Sequence, residues 1–467
     1  MPPGAMKVYL ETLGCQMNRL DSELVGTHLR AAGHELVDDR KAADVVLYNT
    51  CSVRRHAEEK VYSRLGADTQ RKRHHRPGLI LGVLGCMAQR EGGGLRERFP
   101  AVDIVCGPGQ LRRLAEFIDR AATGAPTVAL DPGRAARRPA GNDAELDALD
   151  LARDPHQTPA AHQAYVRVAR GCDNFCTYCI VPYVRGPERS RPPERIVEEV
   201  RRLAEAGRSE VTLLGQTVNR YRHDPGGGAP AVRFSDLLER ISAVAGLRRL
   251  RFVTSHPKDF TDDVLEAMRD LPAVCEYIHV PPQSGSDAIL RRMKRGYTRG
   301  EYDALIDRAR AIVPGVVIAG DFIVGFPGET EADHTASAEL IRRSGFKNSF
   351  IFKYSPRPGT YAAERLSDDV PEAVKRRRNR ELLAVQQEVG LAHHAAYVGR
   401  SVEVLVEGPS VRAGKQAAPP TPEATQLVGR SRGDHIVHFT AGRERIGRYV
   451  RVRVTGATAL TLLGEEA

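Results

Sequence analysis

The sequence predicts an α/β protein of three domains: an N-terminal doubly wound parallel sheet, a central partial (β/α)6 barrel and a small C-terminal β-barrel of the OB-like kind. Three observations support this fold class. The first third of the chain repeats a strand that ends in cysteine, the middle alternates apolar strands with helical patterns, and the tail consists of short alternating strands broken by Gly and Pro. A chain of 467 residues is also too long for one compact core.

These patterns divide the chain at three boundaries. We assign residues 5–123 to the N-terminal domain, 161–396 to the barrel and 397–465 to the C-terminal domain. The segment 124–160 is rich in Ala, Pro, Arg and Asp and has weak periodicity. We therefore expect a linker there that is partly disordered.

The N-terminal repeat places three cysteines at equivalent positions. Strand-like runs each lead directly into a cysteine, at Cys15, Cys51 and Cys86, with separations of 36 and 35 residues, about one βα unit. Because the carboxyl ends of parallel strands lie along one sheet edge, where ligands bind, we expect the three cysteines to converge. Three thiolates suit an iron–sulfur cubane with one open iron. The alternative is three unrelated packed thiols.

A second trio of cysteines lies in one short loop of the central domain. Cys172, Cys176 and Cys179 have a C-x3-C-x2-C spacing. Three thiolates at that spacing can hold three irons of a cubane and leave the fourth iron open for a substrate. Structural zinc is a weaker alternative, since a closed zinc site needs four ligands. A disulfide is a second alternative, and an odd trio argues against it.

Six strand-like runs separated by helical patterns predict the barrel. They span residues 164–169, 210–214, 250–254, 276–280, 316–324 and 349–354. The cysteine loop follows the first run, and polar loops follow the next four. These loops span residues 215–219, 255–257, 282–286 and 325–330. In a barrel they share the carboxyl-end face, where chemistry is placed. Each alone is also explained as a turn or helix cap, and we interpret His256 as structural rather than as a base.

The cysteine loop resembles that of the radical S-adenosylmethionine (SAM) enzymes, because Tyr178 stands directly before Cys179. The following segment 181–186 is similar to the methylthiotransferases among them, and the segments around Cys15, Cys51 and Cys86 resemble that family's auxiliary-cluster segments. The resemblance implies two [4Fe-4S] clusters and bound SAM. It implies SAM contacts at Tyr178, Gly215, Gln216, Ser255, Gln283, Gly325 and Gly328. Pro282 departs from the family pattern, which has an aliphatic residue there.

Two further cysteines, Cys106 and Cys275, remain outside both trios. Cys106 also ends a strand-like run, and a fourth thiolate would close the auxiliary cluster. The family pattern uses three ligands and does not require a cysteine at this position. We therefore interpret Cys106 as a packed thiol and Cys275 as an ordinary core residue.

Within the methylthiotransferases, the segments 50–55 and 214–219 resemble the branch that acts on N6-isopentenyladenosine beside the tRNA anticodon. The resemblance implies that one cluster cleaves SAM to a radical, that the other handles sulfur, and that a second SAM methylates it. An external flavodoxin- or ferredoxin-type electron donor is implied, and the sulfur source is unknown. The alternatives are a branch that acts on threonylcarbamoyl-adenosine or a ribosomal protein, a SAM-radical methylase without an auxiliary cluster, and a non-catalytic RNA-binding redox sensor.

The tail and the overall charge favour a polyanionic partner. The formal net charge is +10 and the pI about 9.3, although an Arg-rich composition with solvated faces also explains them. Strand-like runs at 401–407, 424–430, 434–439 and 449–455 predict a small barrel. The segment resembles the RNA-binding TRAM domain, and a stability or dimerisation module is the alternative. We expect an RNA-binding rim at Arg430, Arg432, Arg443, Arg445 and Arg448.

Localisation is predicted from features that the sequence lacks. No apolar run approaches the roughly 20 residues of a membrane span. The first residues pass straight into a strand without the apolar segment of a signal peptide. We therefore expect a cytoplasmic protein with reduced thiols, working as a monomer without membrane contact.

Overall fold

The computed structural model of the protein describes residues 4–52, 55–132, 147–155, 162–410 and 425–467. Parts of several predicted features lie outside the described residues. These are 53–54 of the segment after Cys51, 133–146 and 156–160 of the predicted linker, residue 161 of the predicted barrel domain and residue 424 of the predicted strand 424–430. All three predicted domains are present among the described residues, so the predicted fold class is confirmed.

The N-terminal domain is a six-stranded sheet in which every strand pairs in parallel with its neighbours, in the order β2-β1-β3-β4-β5-β6. The strands are β1 Lys7–Leu13, β2 Glu35–Leu36, β3 Val45–Thr50, β4 Ile80–Gly85, β5 Ile104–Cys106 and β6 Thr127–Ala129. The helices are Gln16–Ala31, Arg55–His74, Cys86–Glu91, Gly94–Arg98 and Leu114–Ala122. The strand order reverses between β1 and β3, and each face of the sheet packs on its own hydrophobic core. The sheet is therefore doubly wound, with its switch point at β1 and β3.

The central domain contains the six predicted strands, each ending within two residues of its expected bounds. They are β7 Gln163–Arg167, β10 Glu210–Leu214, β13 Arg249–Phe252, β14 Tyr277–His279, β15 Val317–Val324 and β16 Asn348–Lys353. Two parallel three-stranded sheets, β7-β10-β13 and β14-β15-β16, are joined by a bridge between Leu250 and Val274. The covering helices are Pro193–Glu205, Phe234–Ser242, Asp262–Asp270, Arg299–Ile312 and Glu331–Ser344. This arrangement is the open (β/α)6 partial barrel expected from the sequence.

Short elements complete the central domain. Two-residue strands form the pairs β8 Ala169–Arg170 with β9 Arg189–Ser190, and β11 Arg222–His223 with β12 Val232–Arg233. Short helices are Val181–Val184, Asp287–Arg292 and Tyr361–Arg365. The β8–β9 pair brackets the cysteine loop and holds its two ends together.

The described parts of the predicted linker pack against the neighbouring domains. β6 pairs with β5 in the N-terminal sheet. Further along, Asp150 is buried and accepts a hydrogen bond from Arg167 at 2.5 Å. Burial opposes ionisation, but Arg167, Arg170 and Arg191 together hold the pKa of Asp150 below its usual range. Ion pairs leave no hydrophobic periodicity in a sequence, so the sequence of this segment is typical of a linker.

The C-terminal domain is a closed barrel in the order β17-β18-β19-β21-β20, reached through the long helix Glu372–Ala395. Its strands are β17 Ser401–Pro409, β18 Thr425–Ser431, β19 Ile436–Ala441, β20 Tyr449–Ala457 and β21 Thr461–Glu466. β21 was not predicted, because only Leu462 of its six residues is buried and the alternation is weak. It closes the barrel by pairing in parallel with β19 and antiparallel with β20.

Buried cations dock the C-terminal barrel onto the end of the partial barrel. The Arg249 side chain is fully buried and donates to the backbone carbonyl of Arg430 at 2.8 Å. Arg251 donates to the carbonyls of Ser431 and Arg432. These contacts bury arginine side chains in the interface between the two domains. No helix within the described part of the chain combines the length and apolar character needed to cross a membrane.

Candidate active site

Three neighbouring strands bring Cys15, Cys51 and Cys86 to one edge of the N-terminal sheet. The register pairs Leu13 with Thr50 and Thr50 with Gly85. Thr50 and Gly85 directly precede Cys51 and Cys86, and Leu13 lies two residues before Cys15. A hydrogen bond joins the side chains of Cys15 and Cys51. The predicted convergence at the carboxyl edge is therefore what the structure shows, at the switch point of the sheet.

The pKa values of two thiols in this trio are shifted in opposite directions. The hydrogen bond with Cys51 and the nearby Arg185 guanidinium lower the pKa of the Cys15 thiol to about 6, against the effect of burial. Burial raises the pKa of Cys86, and Arg185 opposes that shift. Metals are held by thiolates, so one cation beside two of the three sulfurs favours the ligating form.

Two asparagines and a glycine shape the backbone under this trio. Asn18 donates to Asn49 Oδ1 at 3.0 Å, and Asn49 Nδ2 donates to the Asn18 carbonyl at 2.9 Å. Gly85 has a φ of +87°, and a Cβ atom there would lie 2.5 Å from Asn49 Oδ1. Only glycine therefore lets β4 end against the asparagine pair and turn into the helix that begins at Cys86.

The second trio lies on a tightly anchored loop after β8. Gly171 has a φ of +69°, and a Cβ atom there would lie 2.0 Å from the Pro187 carbonyl oxygen. The Cys172 amide donates to the Gly186 carbonyl at 3.2 Å. Thr177 donates through its amide and its hydroxyl to the carbonyls of the Asp287–Arg292 helix end. The loop is thus fixed at both its entry and its centre.

The sulfurs of this loop are withdrawn from solvent. Cys172 and Cys176 are buried and Cys179 is half-buried. Burial, reinforced by Cys176, raises the pKa of Cys179 to about 12. The Arg295 guanidinium donates to Cys176 Sγ at 3.3 Å and opposes that rise. Three sulfurs and one buried cation thus form a second site of the same composition as the first.

The two trios face each other across the domain boundary. Ile180 and Val184, which follow the second trio, pack directly on Cys86 of the first. Arg185 then donates through Nε to Cys86 Sγ at 3.2 Å and through Nη2 to Asp21 at 2.9 Å. The sequence shows two sites 86 residues apart at their nearest members, whereas the fold places them side by side.

The remaining cysteines lie elsewhere. Cys106 is buried in the hydrophobic core of the N-terminal sheet, and its thiol faces the Gly107 carbonyl at 3.5 Å. Cys275 is also buried, beside Arg251. In the described ranges no three His, Cys, Asp or Glu side chains are grouped to bind a single metal ion. In a cubane each thiolate binds a different iron, so a trio around a cluster is more widely spaced than a mononuclear site.

The predicted SAM-binding loops come together only in part. Tyr178, between the last two cysteines, packs edge-on against Phe326 with 6.4 Å between ring centroids. SAM contacts are also expected at Gly325 and Gly328. The side chain of Lys375 lies over Gly325 and that of Arg292 over Gly328. The protein's own side chains therefore occupy the side of each glycine on which a Cβ atom would stand.

The loop after β13 has the unsatisfied polar atoms expected of a ligand site. Ser255 Oγ and both ring nitrogens of His256 are buried, with no hydrogen-bond partner among the described residues. Burial, with the charges of Arg295 and Lys258, holds the pKa of His256 far below its usual value. A neutral imidazole and a hydroxyl aimed at the same end of the barrel fit a polar ligand such as SAM.

The other predicted contacts lie at strand ends on the same face. Gly215 is buried against Val218, and Gln216 is half-buried. Gln283 has a φ of +69° and donates through its amide to the Asp321 carbonyl. Their placement at the carboxyl ends of β10 and β14 agrees with the expected site.

Comparisons with known proteins agree with this arrangement. Residues 7–107 match the family described as Uncharacterized protein family UPF0004, and residues 166–341 match the Radical SAM superfamily. The tRNA-2-methylthio-N(6)-dimethylallyladenosine synthase of Rhodopirellula baltica is 47% identical over 98% of this chain and 95% of that protein. The synthase of the same name from Moorella thermoacetica is 42% identical over 97% of each chain.

The chain belongs to the tRNA-2-methylthio-N(6)-dimethylallyladenosine synthase family. The resemblance to the methylthiotransferases is thereby confirmed. Among solved structures, the radical SAM methyltransferase TsrM from Kitasatospora setae, with cobalamin and a [4Fe-4S] cluster bound, has a TM-score of 0.54. The match covers 77% of this chain and 74% of that chain at 16% identity, and shows a shared fold alone.

In this member of the synthase family the expected arginine rim of the C-terminal barrel is divided. Arg432 pairs with Glu276 at 2.7 Å and donates to the Val274 carbonyl, so it joins the barrel to the central domain. Arg430 pairs with Asp434 and Glu407. Arg430 and Arg432, two of the five arginines expected to bind RNA, thus have acidic partners within the protein. Arg443, Arg445 and Arg448 lie on the segment that leads into β20, where Arg445 pairs with Glu466 at 3.0 Å.

Several residues that support the site were given no individual role from the sequence, although Arg185 and Thr217 lie within segments named there. Arg185, Arg295 and Asp21 contact the cysteine sulfurs or hold the residue that does. Thr217 Oγ1 lies 3.1 Å from Asn174 Nδ2 and 3.7 Å from Cys172 Sγ. Each acts across a long sequence separation, so no local pattern in the chain identifies it.

Proposed function

We propose that this protein converts N6-isopentenyladenosine in tRNA, 3′ of the anticodon, into its 2-methylthio derivative, using two SAM molecules and two [4Fe-4S] clusters. The observation that carries the proposal is the pair of three-cysteine sites that contact each other through Cys86 and Arg185. A single radical SAM site would need only one trio. Two trios placed side by side allow a sulfur handled at one to meet a substrate activated at the other.

The donor sets fit the two clusters. Cys15, Cys51 and Cys86 would hold the auxiliary cluster, and Cys172, Cys176 and Cys179 the radical SAM cluster. Both sets consist of sulfur donors on fixed strand or loop ends beside a buried guanidinium. Three thiolates to a cubane leave one iron with an open position, which a bound sulfur or SAM can occupy.

The remaining site residues act around SAM. When bound, SAM and its cluster supply a radical that can remove hydrogen from an unactivated carbon, chemistry that no side chain performs. Ser255 and His256 would give the ligand its polar contacts, because Ser255 Oγ and both ring nitrogens of His256 are buried without a hydrogen-bond partner among the described residues. Tyr178 would pack along the ligand, with Gly215, Gln216 and Gln283 at neighbouring strand ends. Ile180 and Val184 exclude water between the trios.

The C-terminal barrel would hold the RNA as a TRAM-like domain. Arg443, Arg445 and Arg448 lie on one loop, and Arg451 and Arg453 are exposed on the adjoining strand β20. Guanidinium groups bind phosphates without reading sequence, so they would orient the tRNA rather than select it. We place the reaction in the cytoplasm, with a monomeric enzyme and an external flavodoxin- or ferredoxin-type electron donor.

Nucleoside mass spectrometry of tRNA tests the assignment. A strain without the gene should lack 2-methylthio-N6-isopentenyladenosine and accumulate the unmodified isopentenyl nucleoside. Reintroducing the intact gene should restore the product, and the Cys51→Ala variant should not. Cys106→Ala is the matched control, because Cys106 is equally buried but lies outside both trios. Normal methylthio nucleoside in the deletion strain, with no paralogue present, would remove the substrate assignment.

Purified protein separates an enzyme from a redox sensor. After anaerobic reconstitution with iron, sulfide, SAM and dithionite, we expect 5′-deoxyadenosine from the intact protein and from Cys51→Ala. Absence of 5′-deoxyadenosine in both would favour a non-catalytic iron–sulfur sensor. Unchanged turnover by Cys51→Ala, with a methylated product that carries no added sulfur, would favour a SAM-radical methylase that needs no auxiliary cluster.

A further inference from the structure

Each cysteine trio receives one hydrogen bond from one buried arginine. Arg185 Nε lies 3.2 Å from Cys86 Sγ, and Arg295 Nη1 lies 3.3 Å from Cys176 Sγ. The two arginines are 9% and 7% exposed. A guanidinium withdrawn from water and bonded to sulfur keeps its charge, because arginine is not deprotonated in proteins.

Separate anchors fix the orientation of each guanidinium. Arg185 Nη2 donates to the Asp21 carboxylate at 2.9 Å. Arg295 donates to the Pro281 carbonyl at 3.1 Å and to the Tyr297 hydroxyl at 3.2 Å. The side chains are therefore held with an N–H directed at one sulfur, rather than attracted there by charge alone.

We propose that Arg185 and Arg295 are positioning residues that set the reduction potentials of the two clusters, one arginine for each. The inference rests on the proposed function, because it requires a cluster at each trio. Reduction adds negative charge to a cluster and its thiolates, and a cation bonded to one sulfur stabilises that charge. Hydrogen bonds to the sulfurs are one determinant of iron–sulfur potentials. Removing either guanidinium should therefore make its own cluster harder to reduce.

The position of Arg185 in the chain gives this residue a second role. It lies six residues after Cys179, on the segment of the radical SAM trio, yet it bonds a sulfur of the auxiliary trio. Asp21, which receives it, lies on the helix that begins beside Cys15. The Arg185 side chain thus sets the reduction potential of the auxiliary cluster and also fixes the distance between the two clusters.

The fold should survive the loss of Arg185. Asp21 is buried at 1% exposure, but it also accepts a hydrogen bond from Arg167 at 2.7 Å. The carboxylate therefore keeps one cationic partner when the other is removed. Ile180 and Val184 continue to pack on Cys86. A test on Arg185 can thus address the cluster rather than folding.

Redox titration of singly loaded protein tests the proposal. Full-length protein carrying Cys172→Ala, Cys176→Ala and Cys179→Ala keeps only the auxiliary site, and Cys15→Ala, Cys51→Ala and Cys86→Ala keep only the radical SAM site. Each is reconstituted anaerobically and titrated with dithionite while the reduced cluster is followed by electron paramagnetic resonance. Arg185→Gln should move the midpoint of the auxiliary cluster to a more negative potential and leave the other unchanged. Arg295→Gln should do the reverse.

Each outcome decides the proposal. Unchanged midpoints in both variants at normal iron content would overturn it, and so would equal shifts of both clusters in either variant. If Arg185→Gln loses iron from the auxiliary site alone, while Arg185→Lys retains it, the positioning role is supported. Loss of iron from both sites together with loss of circular dichroism would show a folding role and overturn it. The titration uses no tRNA, so a wild-type protein that loads no cluster would instead count against the proposed function.

Discussion

The Arg249 guanidinium, fully buried between two domains, donates to the Glu403 carboxylate at 2.9 Å. Arg249→Ala would remove a buried cation and leave the Arg430 carbonyl without its donor. We expect a decrease of about 1–3 kcal/mol in the free energy of unfolding, the cost of leaving a buried hydrogen-bonding group without its partner. Urea unfolding followed by circular dichroism measures it.

Arg248→Ala is the matched control for this change. Arg248 pairs with the same Glu403 at 3.2 Å, but its side chain is 54% exposed. Exposed ion pairs contribute up to about 1 kcal/mol, so the control should unfold at nearly the wild-type urea concentration. Equal destabilisation by both variants would contradict the buried role of Arg249.

The entry to the radical SAM loop should not tolerate a Cβ atom at Gly171. Gly171→Ala would place Cβ 2.0 Å from the Pro187 carbonyl oxygen, at a φ of +69°. The loop must shift, so we expect loss of iron from the Cys172 site. Iron analysis of protein in which the auxiliary trio is changed to alanine measures this loss.

Gly207→Ala is the control for Gly171→Ala, because it introduces backbone strain without a steric clash. Gly207 also has a positive φ, +87°, but a Cβ atom there meets nothing within 4 Å. It should cost about 1–2 kcal/mol of stability, the ordinary strain of a left-handed residue, and leave iron content normal. Normal iron content in Gly171→Ala would show that the loop accommodates the extra atom.

The Glu329 carboxyl should make stability depend on pH. Burial raises its pKa from 4.5 to about 7, although it accepts hydrogen bonds from Gly325 and Arg378. The folded protein therefore binds a proton that the unfolded chain releases between these values. Stability relative to Glu329→Gln should fall as pH rises from about 4.5 to 7, by up to about 1.4 kcal/mol per pH unit. Parallel urea unfolding of both proteins across this range measures it, and a constant difference would contradict the raised pKa.

The arginines on the loop before β20 should account for part of the salt dependence of tRNA binding. Changing Arg443 and Arg448 together to Gln should weaken binding and lower the slope of log affinity against log salt by about 1 for each phosphate that is no longer neutralised. Filter binding at several salt concentrations measures the slope. Arg201→Gln is the control, since Arg201 is 53% exposed on a helix of the central domain. Equal slope changes in both proteins would indicate a general charge effect.

Local patterns in the chain predicted most of the strands and both cysteine trios. Alternation and apolar runs have a range of a few residues, so the six main strands of the barrel could be located before the fold was known. The convergence of Cys15, Cys51 and Cys86 followed from the rule that parallel strands end at one sheet edge. The topology of the sheet therefore explains why three cysteines at regular intervals in the sequence lie together at one edge.

Long-range pairs could not be predicted in this way. Arg432 looks like a surface cation in the sequence, and only the docked fold shows that it meets Glu276. β21 has one buried residue and no clear alternation, so its place is decided by the two strands beside it. Likewise, Gly325 and Gly328 have the sequence of an open turn, but Lys375 and Arg292 arrive from elsewhere to cover them.

Asp21 belongs to the amino-terminal sheet domain, yet both arginines that bind it, Arg167 and Arg185, come from the barrel. Cutting the chain between the two domains would leave the Asp21 carboxylate without these counter-ions in one fragment. In the other fragment, Arg167 and Arg185 would lose this carboxylate as a partner. Each fragment would therefore expose charged side chains of the domain interface without their partners. The sulfur-handling half and the SAM-cleaving half are thus interdependent, and recombining either with a foreign counterpart would require replacing this shared carboxylate as well.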